Sequence, residues 1–530
     1  MSNERPWLSH YSPNVPFELP LPELSMICIF EQTVAEKPDA PAVHYFDDTI
    51  TFKQLDDKAG QFAALLDSWG VGHGDRVAIS AQNDPEFLVV QYGAWKRGAI
   101  VVPLSPMFKA KEIAYQLADC GAVVYVVEDR IVDEELGDPN VVPHILRLSQ
   151  IAQAIAAFTT HPAHRLAVAP SDIAYLVYTS GTTGPPKGAI SLHRHIAYNA
   201  NTFRTWLNIG PGDVILGIAP LFHITGVVAQ MALSALAGVP LILYHRFDAA
   251  QTFRLIEKWK ATTAVAAITA YIALLKSQNS TADLSSFTKC CTGGAPVSPV
   301  VVEEFEKRFG VRIHNTYGLT ESNSPSHLTP LGVRGPVDPV SGALAIGLPI
   351  PGCDARIVDL ENPSKVLAPG EPGEIALGGP FLFEGYWNKP EATASAFHDG
   401  WFLTGDVAVM DVDGWFYIVD RKKDMIVASG FKVWPRDVED VIYQHPAVRE
   451  AAVIGVPDPY RGETVKAVVA LRAEFTGKVG ADEIMEFCRQ RMASYKYPRI
   501  VEFVTEIPKT ASGKFLRRAL KGTVECNLDS

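Results

Sequence analysis

The stretch Tyr178 to Ala189, YTSGTTGPPKGA, gathers residue types suited to holding an anion. Gly181, Gly184 and Gly188 open backbone conformations denied to other residues, so successive amides can turn toward one point. Thr179, Ser180, Thr182 and Thr183 add hydroxyl donors, and Lys187 adds a positive charge. Several weak donors and one cation together replace the water that a polyphosphate gives up on binding. The Walker arrangement is not met, because Gly188 follows the lysine where that motif needs Ser or Thr, which disfavours a P-loop kinase or GTPase. A flexible surface turn has the same composition, so the stretch alone leaves both readings open.

The elements that must carry this loop follow from hydrophobic patterning. Ile173 to Tyr178 and Ala122 to Val127 are short β-branched or aromatic runs that predict strands. Val297 to Phe309 predicts a helix, with Ser298 as cap, Pro299 in the first turn and Gly310 at the left-handed exit. The longest apolar stretch, Val227 to Tyr244, contains Gln230, Gly238 and Pro240, so it reads as a buried helix and then a strand; a spanning helix needs about 20 mostly apolar residues. Helix-like and strand-like segments alternate, which predicts an α/β fold of multilayered sheets flanked by helices. The texture changes after about residue 420: charged DRKKD leads into strand-like Met425 to Ala428, and Pro435 opens a helix with Val438, Val441 and Ile442 on one face. Strands at Ala451 to Val456 and Val465 to Leu471 and a helix near Ala481 to Met492 complete a smaller α+β unit. The expected division is residues 1–422 and 423–530.

Length and charge narrow the class. A chain of 530 residues with 47% apolar and 20% charged residues is an ordinary globular protein, not a fibre or a disordered chain. A net charge of −12 works against binding nucleic acid or an anionic membrane through sheer basicity. Seven cysteines without CxxC spacing indicate neither a disulfide framework nor a zinc site, and a reducing cytoplasm fits best. Neither end reads as a targeting signal. No residue specifies an oligomer, and a homodimer is compatible with the sequence.

Beyond the phosphate-type loop the residues resemble the adenylate-forming superfamily of acyl-CoA synthetases, carrier-protein adenylation domains and beetle luciferases. YTSGTTGPPKGA is similar to its phosphate-loop signature, and the resemblance continues in order through GGAP (Gly293 to Pro296), NTYGLTE (Asn315 to Glu321), TGD (Thr404 to Asp406), DRKKD (Asp420 to Asp424), SGFKVWP (Ser429 to Pro435) and PKTASGK (Pro508 to Lys514). The order and spacing of these seven segments make chance a poor account. The resemblance implies a large N-terminal AMP-binding domain and a smaller mobile C-terminal domain. It also implies two half-reactions: a carboxylate attacks the α-phosphorus of Mg²⁺-bound ATP to give acyl-AMP and pyrophosphate, and coenzyme A then displaces AMP to give a thioester.

Roles carry over by position. Lys514 resembles the lysine that bridges carboxylate and α-phosphate oxygens as charge builds on them. Asp406 and Arg421 match the nucleotide residues at the ribose and phosphate, Lys432 the basic residue that bacterial synthetases present to phosphate, and Glu321 the Mg²⁺ position. Gly294, Ala295, Pro296, Asn315, Thr316, Tyr317, Gly318 and Thr320 belong to the adenine-side motifs, where small residues admit the base and Tyr317 can stack on it. His223 matches a position beside the acyl carboxylate; a satisfied structural histidine is the plain alternative. Lys423 stands at the hinge, and Ser429, Gly430 and Phe431 would border the pantetheine channel. Acetylation of Lys514 would remove its charge.

Ile224, Thr225, Gly226, Val227, Val228, Gly293, Ser322, Asn323, Ser324 and Pro325 would line the acyl pocket. They are mostly small or apolar, which suits a medium or longer fatty acid or a flat aryl acid; Asn323, if it faces the pocket, would take a polar group. Luciferases and plant hydroxycinnamate ligases carry lysine where this chain has Val427 and glutamine where it has Lys432, so a luciferase-like oxidoreductase is disfavoured. Transfer to a carrier protein uses much the same motifs, although SGFKVWP favours free coenzyme A. A non-catalytic nucleotide-binding protein would be expected to lack Lys514, Asp406 or Glu321, and all three are present.

Overall fold

The computed structural model describes residues 5–131, 142–159, 164–179, 185–277, 282–295, 297–428, 431–458, 461–509, 515 and 517–521. Four sheets organise them. In the first, His144–Arg147, Val124–Val127, Arg76–Ser80, Ile100–Leu104 and Ile173–Thr179 run parallel, and Lys187–Leu192 closes the edge antiparallel to its neighbour. Runs such as IVVPL and VYVV have no polar alternation because both faces of a parallel sheet are covered, and both strands are fully buried. The helices Phe52–Ser68 and Pro85–Lys96 pack beside them, the first started by a reciprocal Thr51 and Gln54 capping box, the second by the Asp84 carboxylate on the Glu86 amide.

The second sheet has nine strands, with Ile313–Tyr317, Lys289–Gly293, Thr263–Ala267, Ile215–Leu216, Leu241–Leu243 and Pro41–Tyr45 parallel in that order and antiparallel strands at both ends. The third is antiparallel and contains Asp354–Val358, Gly373–Gly378, Phe397–His398, Trp401–Met410 and Phe416–Arg421. The long apolar run resolves into a π-helix, Val227–Ala232, a helix, Leu233–Ala237, a left-handed exit at Gly238 and the strand Leu241–Leu243, as its pattern predicts.

Residues after the third sheet build a fourth, of Phe431–Val433, Ile426–Ala428, Gly462–Leu471, Val448–Asp458 and Ile500–Phe503. Side chains along Val448–Asp458 alternate between two cores. Ala451 and Val453 face the helices Pro435–Tyr443 and Ala481–Arg489 through Val438, Ile442, Ile484 and Cys488, while Ala452, Ile454 and Val456 face Ile507 and Leu520. Among the described residues, the buried clusters of this part share no member with those of the preceding sheets.

Two expectations need correction. The helix at 297–309 starts at Pro299, and Ser298, although at the cap position with extended backbone, makes no side-chain capping bond. The helix near Ala481 ends at Arg489, three residues before Met492. The six described cysteines are free, and no helix among the described residues is long and apolar enough to cross a membrane.

Candidate active site

Three motif strands end at one region: Thr179, Gly293 and Tyr317 are each the last residue of a parallel strand. Ligands of open α/β sheets bind at the carboxyl ends of such strands. Ser180, Gly181, Thr182, Thr183 and Gly184 lie outside the described residues, but the hairpin that presents them is defined, with Thr179 opposite Lys187 and Tyr178 opposite Gly188. Its base is pinned by Tyr178, whose hydroxyl donates to Asp119 at 2.7 Å while Lys389 donates to the same carboxylate at 2.8 Å. The Tyr115 hydroxyl donates to the Pro186 carbonyl at 3.1 Å.

A segment from a distant part of the chain runs beside this hairpin. Ile190 N–H donates to Gly385 O (2.9 Å) and Trp387 N–H to Gly188 O (2.8 Å), which sets Tyr386 against the start of the strand Lys187–Leu192. The Lys187 ammonium lies over the Tyr386 ring, 4.8 Å from its centroid. The Tyr386 hydroxyl donates to Glu321 Oε1 at 2.8 Å. Burial pushes the Tyr386 phenol well up, and the neighbouring carboxylate adds to the effect, so the phenol keeps the proton it donates. Glu321 sits in the short 3₁₀ turn Thr320–Ser322, which the Ser322 hydroxyl closes by accepting from Leu319 N at 2.8 Å. Burial raises the Glu321 carboxyl above its ordinary value; the Tyr386 hydrogen bond and the Lys187 charge oppose that rise, and the Asp406 charge adds to it.

Asp406 is buried on the strand Trp401–Met410, and the Tyr317 hydroxyl donates to its Oδ2 at 2.7 Å. Its loop is held by Glu374, whose buried carboxylate accepts from Gly405 N and from Lys422 Nζ, both at 2.8 Å. Gly405 has φ +74, a left-handed position that suits glycine. Arg421 pairs with Asp406 in backbone register; its side chain and that of Lys432 lie outside the described residues, as do Pro296, Ser429, Gly430 and Lys514.

Several motif side chains serve the framework. Asn315 and Thr316 are buried and donate to the carbonyls of Ala345 (2.9 Å) and His327 (3.1 Å), so they stabilise the wall from behind and their side chains are turned to internal partners. A Cβ on Gly293 would come within 2.6 Å of the Thr316 carbonyl, which explains glycine there. A Cβ on Gly318 would lie 3.1 Å from the Cα atoms of Ser324 and Pro325, while Gly294, at φ +79, has open space beside it, next to half-buried Ala295. The Tyr317 ring lies edge-on to His327, 5.6 Å between centroids.

The residues expected at the acyl side form two neighbouring groups. His223 caps the turn Ile224–Gly226, accepting from Thr225 N at Nδ1, 3.3 Å, which leaves the ring proton of the neutral imidazole on Nε2. Ile224, Gly226, Val227 and Val228 are buried, and Thr225 is half-buried. Asn323 adopts a left-handed conformation (φ 50) and is fully buried; its amide nitrogen donates to Phe381 O at 2.9 Å, and its buried Oδ1 has no hydrogen-bond partner among the described residues. Buried Asn199 donates to the carbonyls of Ser322, Asn323 and Pro325 and so fixes the turn that includes Ser324. In the C-terminal part, Lys423 is exposed in the turn Lys422–Asp424, and half-exposed Phe431 stacks on Tyr495 with centroids 4.5 Å apart.

Tyr386, Asp119, Glu374 and Asn199 were not legible as site residues in the sequence. Each acts across dozens of residues of chain and belongs to no spacing pattern; only the pairing of strand Lys187–Leu192 with residues 384–387 brings Tyr386 in.

The profile of the AMP-binding enzyme family matches residues 30–387, and that of the AMP-binding enzyme C-terminal domain matches 437–514. The chain belongs to the AMP-binding enzyme family. It is of the acyl-CoA synthetase branch of the adenylate-forming superfamily. A long-chain-fatty-acid–CoA ligase of Bacillus subtilis is 37% identical over 98% of both chains. A feruloyl-CoA synthase of Amycolatopsis is 35% identical over 91% of this chain and 95% of its own. The crystal structure of ATP-bound MatB from Rhodopseudomonas palustris superposes with a TM-score of 0.85 at 29% identity, covering 94% of this chain and 99% of MatB. The family's architecture of a large N-terminal and a small C-terminal domain is the one described above.

Proposed function

We propose that this protein activates a hydrophobic carboxylic acid, a medium to long fatty acid or an aryl acid, as its acyl-adenylate, and transfers the acyl group to coenzyme A in the cytoplasm. A resting carboxylate resists thiolate attack because resonance stabilises its carbonyl carbon; AMP provides the missing leaving group. The observation that carries the reading is the convergence of Lys187, Glu321 and the Tyr317–Asp406 pair at the mouth of the glycine-rich hairpin. The likeness to both a fatty-acid and a feruloyl enzyme, together with the apolar Ile224, Val227 and Val228, supports a hydrophobic acid.

On this reading residues 1–422 bind ATP and acid, and residues 423–530 move about Lys423. The hairpin and Lys187 surround the phosphates, Asp406 and Arg421 hold the ribose, and His223 with its Nε2 proton orients the acid. Lys514 comes in with the smaller domain for adenylation and gives way to Ser429, Gly430 and Phe431 for thioester formation. Glu321 suits Mg²⁺: it is a hard oxygen donor, and no group of three or more His, Cys, Asp or Glu among the described residues could form a cage, which fits an ion shared between one carboxylate and substrate phosphates. When bound, Mg²⁺ would neutralise phosphate charge.

The test is acid-dependent pyrophosphate release by purified protein with ATP and Mg²⁺ across a panel of fatty and aryl acids, followed by mass detection of the thioester on adding coenzyme A. A panel in which no acid yields AMP overturns the proposal.

A further inference from the structure

The Tyr386 phenol touches two groups of the site at once, and the chain around it is built to hold it there. Its hydroxyl donates to Glu321 Oε1 at 2.8 Å, and its ring carries the Lys187 ammonium 4.8 Å from the centroid. Gly385, at φ +140, takes a conformation suited to glycine, and a Cβ there would lie 2.6 Å from Thr393 Cγ2. The Thr393 hydroxyl accepts from Tyr386 N at 2.9 Å and donates to Lys389 O at 3.0 Å, so helix Pro390–Ala396 fixes the backbone. The Phe383 ring meets the Tyr386 ring edge-on at 4.9 Å. With its backbone, ring and hydroxyl all engaged, the side chain is held in one rotamer.

We propose that Tyr386 is a positioning residue that aligns the Glu321 carboxylate toward a divalent cation and the Lys187 ammonium toward the same nucleotide's phosphates. This rests on the assignment of Glu321 and Lys187 to Mg²⁺ and ATP made above. A carboxylate with one oxygen held by a fixed donor is pre-organised: it loses less freedom when its other oxygen meets a cation. A lysine whose flexible stem is guided along a ring face gains in the same way. The two effects separate chemically, because the hydroxyl serves Glu321 and the ring serves Lys187.

Tyr386→Phe removes the first and keeps the second; Tyr386→Leu removes both. ATP binding is measured by calorimetry over a range of Mg²⁺ concentrations and again in EDTA, with the Mg²⁺ dependence of pyrophosphate release as a second readout. Tyr386→Phe is expected to raise the half-saturating Mg²⁺ about tenfold, equivalent to about 1.4 kcal/mol, with ATP affinity in EDTA within about twofold of the parent. Tyr386→Leu is expected to weaken ATP in EDTA as well, by about fivefold. In a Glu321→Gln background, Tyr386→Phe should leave the remaining Mg²⁺ dependence where it was. An unchanged Mg²⁺ requirement in Tyr386→Phe, or equal losses with and without the metal, overturns the proposal and reduces Tyr386 to packing. If the parent protein binds MgATP but no acid elicits pyrophosphate, the functional reading fails while the calorimetric arm still decides the role of Tyr386.

Discussion

Arg517 grips Glu439 through one guanidinium nitrogen, at 2.7 and 2.9 Å from its two carboxylate oxygens, and reaches Asp424 at 3.2 Å with another. Glu439 is buried on helix Pro435–Tyr443 and also accepts from Val453 N at 2.8 Å, while Asp424 closes the turn that contains Lys423. The neighbouring carboxylates push the guanidinium pKa well up against the effect of burial, so it stays charged. One side chain thus ties the C-terminal helix Arg517–Lys521 to helix Pro435–Tyr443 and to the turn Lys422–Asp424. Arg517 lies three residues after Lys514 in sequence.

Arg517→Ala is therefore expected to leave Glu439 with an uncompensated buried charge and to cost about 3 kcal/mol, the usual scale for removing one partner of a buried pair. Urea unfolding of the C-terminal transition checks it. Arg517→Lys should recover part of that loss, since a single ammonium cannot reproduce the guanidinium geometry.

Lys514→Ala should separate the two half-reactions. If this lysine faces the α-phosphate only during adenylation, acyl-AMP formation falls by about a hundredfold or more, the scale of a lost preorganised charge contact. Thioester formation from supplied acyl-adenylate changes little. Rapid-quench measurement of both steps distinguishes this from a general collapse, in which they would fall together.

The head of the helix Pro85–Lys96 makes stability depend on pH. Burial and then the adjacent Asp84 push the Glu86 carboxyl up to about 7. Between the ordinary glutamate value and 7 the folded protein holds a proton that the unfolded chain has released, so this contribution is complete below about 4.5 and is lost as pH rises through 7. His193, His195 and His327 act in the opposite sense: burial holds each down to about 3, so their contribution is present above the ordinary histidine value and lost as pH falls below it. Glu86→Gln should remove the decline in unfolding free energy that this carboxyl imposes between its ordinary value of 4.5 and about 7, and leave the histidine contribution in place.

The parts of this molecule that sequence made readable are those governed by local rules. Ile173 to Tyr178 is a strand because its residues fit a covered pleat, Gly310 ends its helix at φ 70, and the run from Val227 breaks where Gly238 turns left-handed. Motif order located Glu321 and Asp406 without revealing what holds them. Tyr386 and Glu374 act through side chains joined by sheet pairing across long stretches of chain, for which periodicity carries no signal. The same limit applies to Asn323: an exposed and a buried asparagine are identical in sequence, and only the fold buries it and joins its amide to Phe381 O. Ser298 failed as a cap because an eligible residue at the right position still has to aim its hydroxyl at a free amide.

Gly226 gives the sharpest steric test beside His223. A Cβ at this position would lie 2.1 Å from the Pro220 carbonyl oxygen and 2.7 Å from its carbon, both backbone atoms that cannot rotate aside. The turn Ile224–Gly226 and the buried π-helix Val227–Ala232 leave no room for the chain to retreat. Gly226→Ala should therefore cost about 3 kcal/mol, at the upper end for overpacking, and displace the His223 ring along with the turn it caps. The KM for the acid should rise more than the KM for ATP, because Thr179 and Lys187 stand on a different hairpin. Gly210→Ala, where the added carbon meets nothing within 4 Å, is the control and should stay within about 0.5 kcal/mol of the parent. A Gly226→Ala protein as stable as that control would show that the approach of Pro220 to this turn is not what holds the chain at His223 in shape.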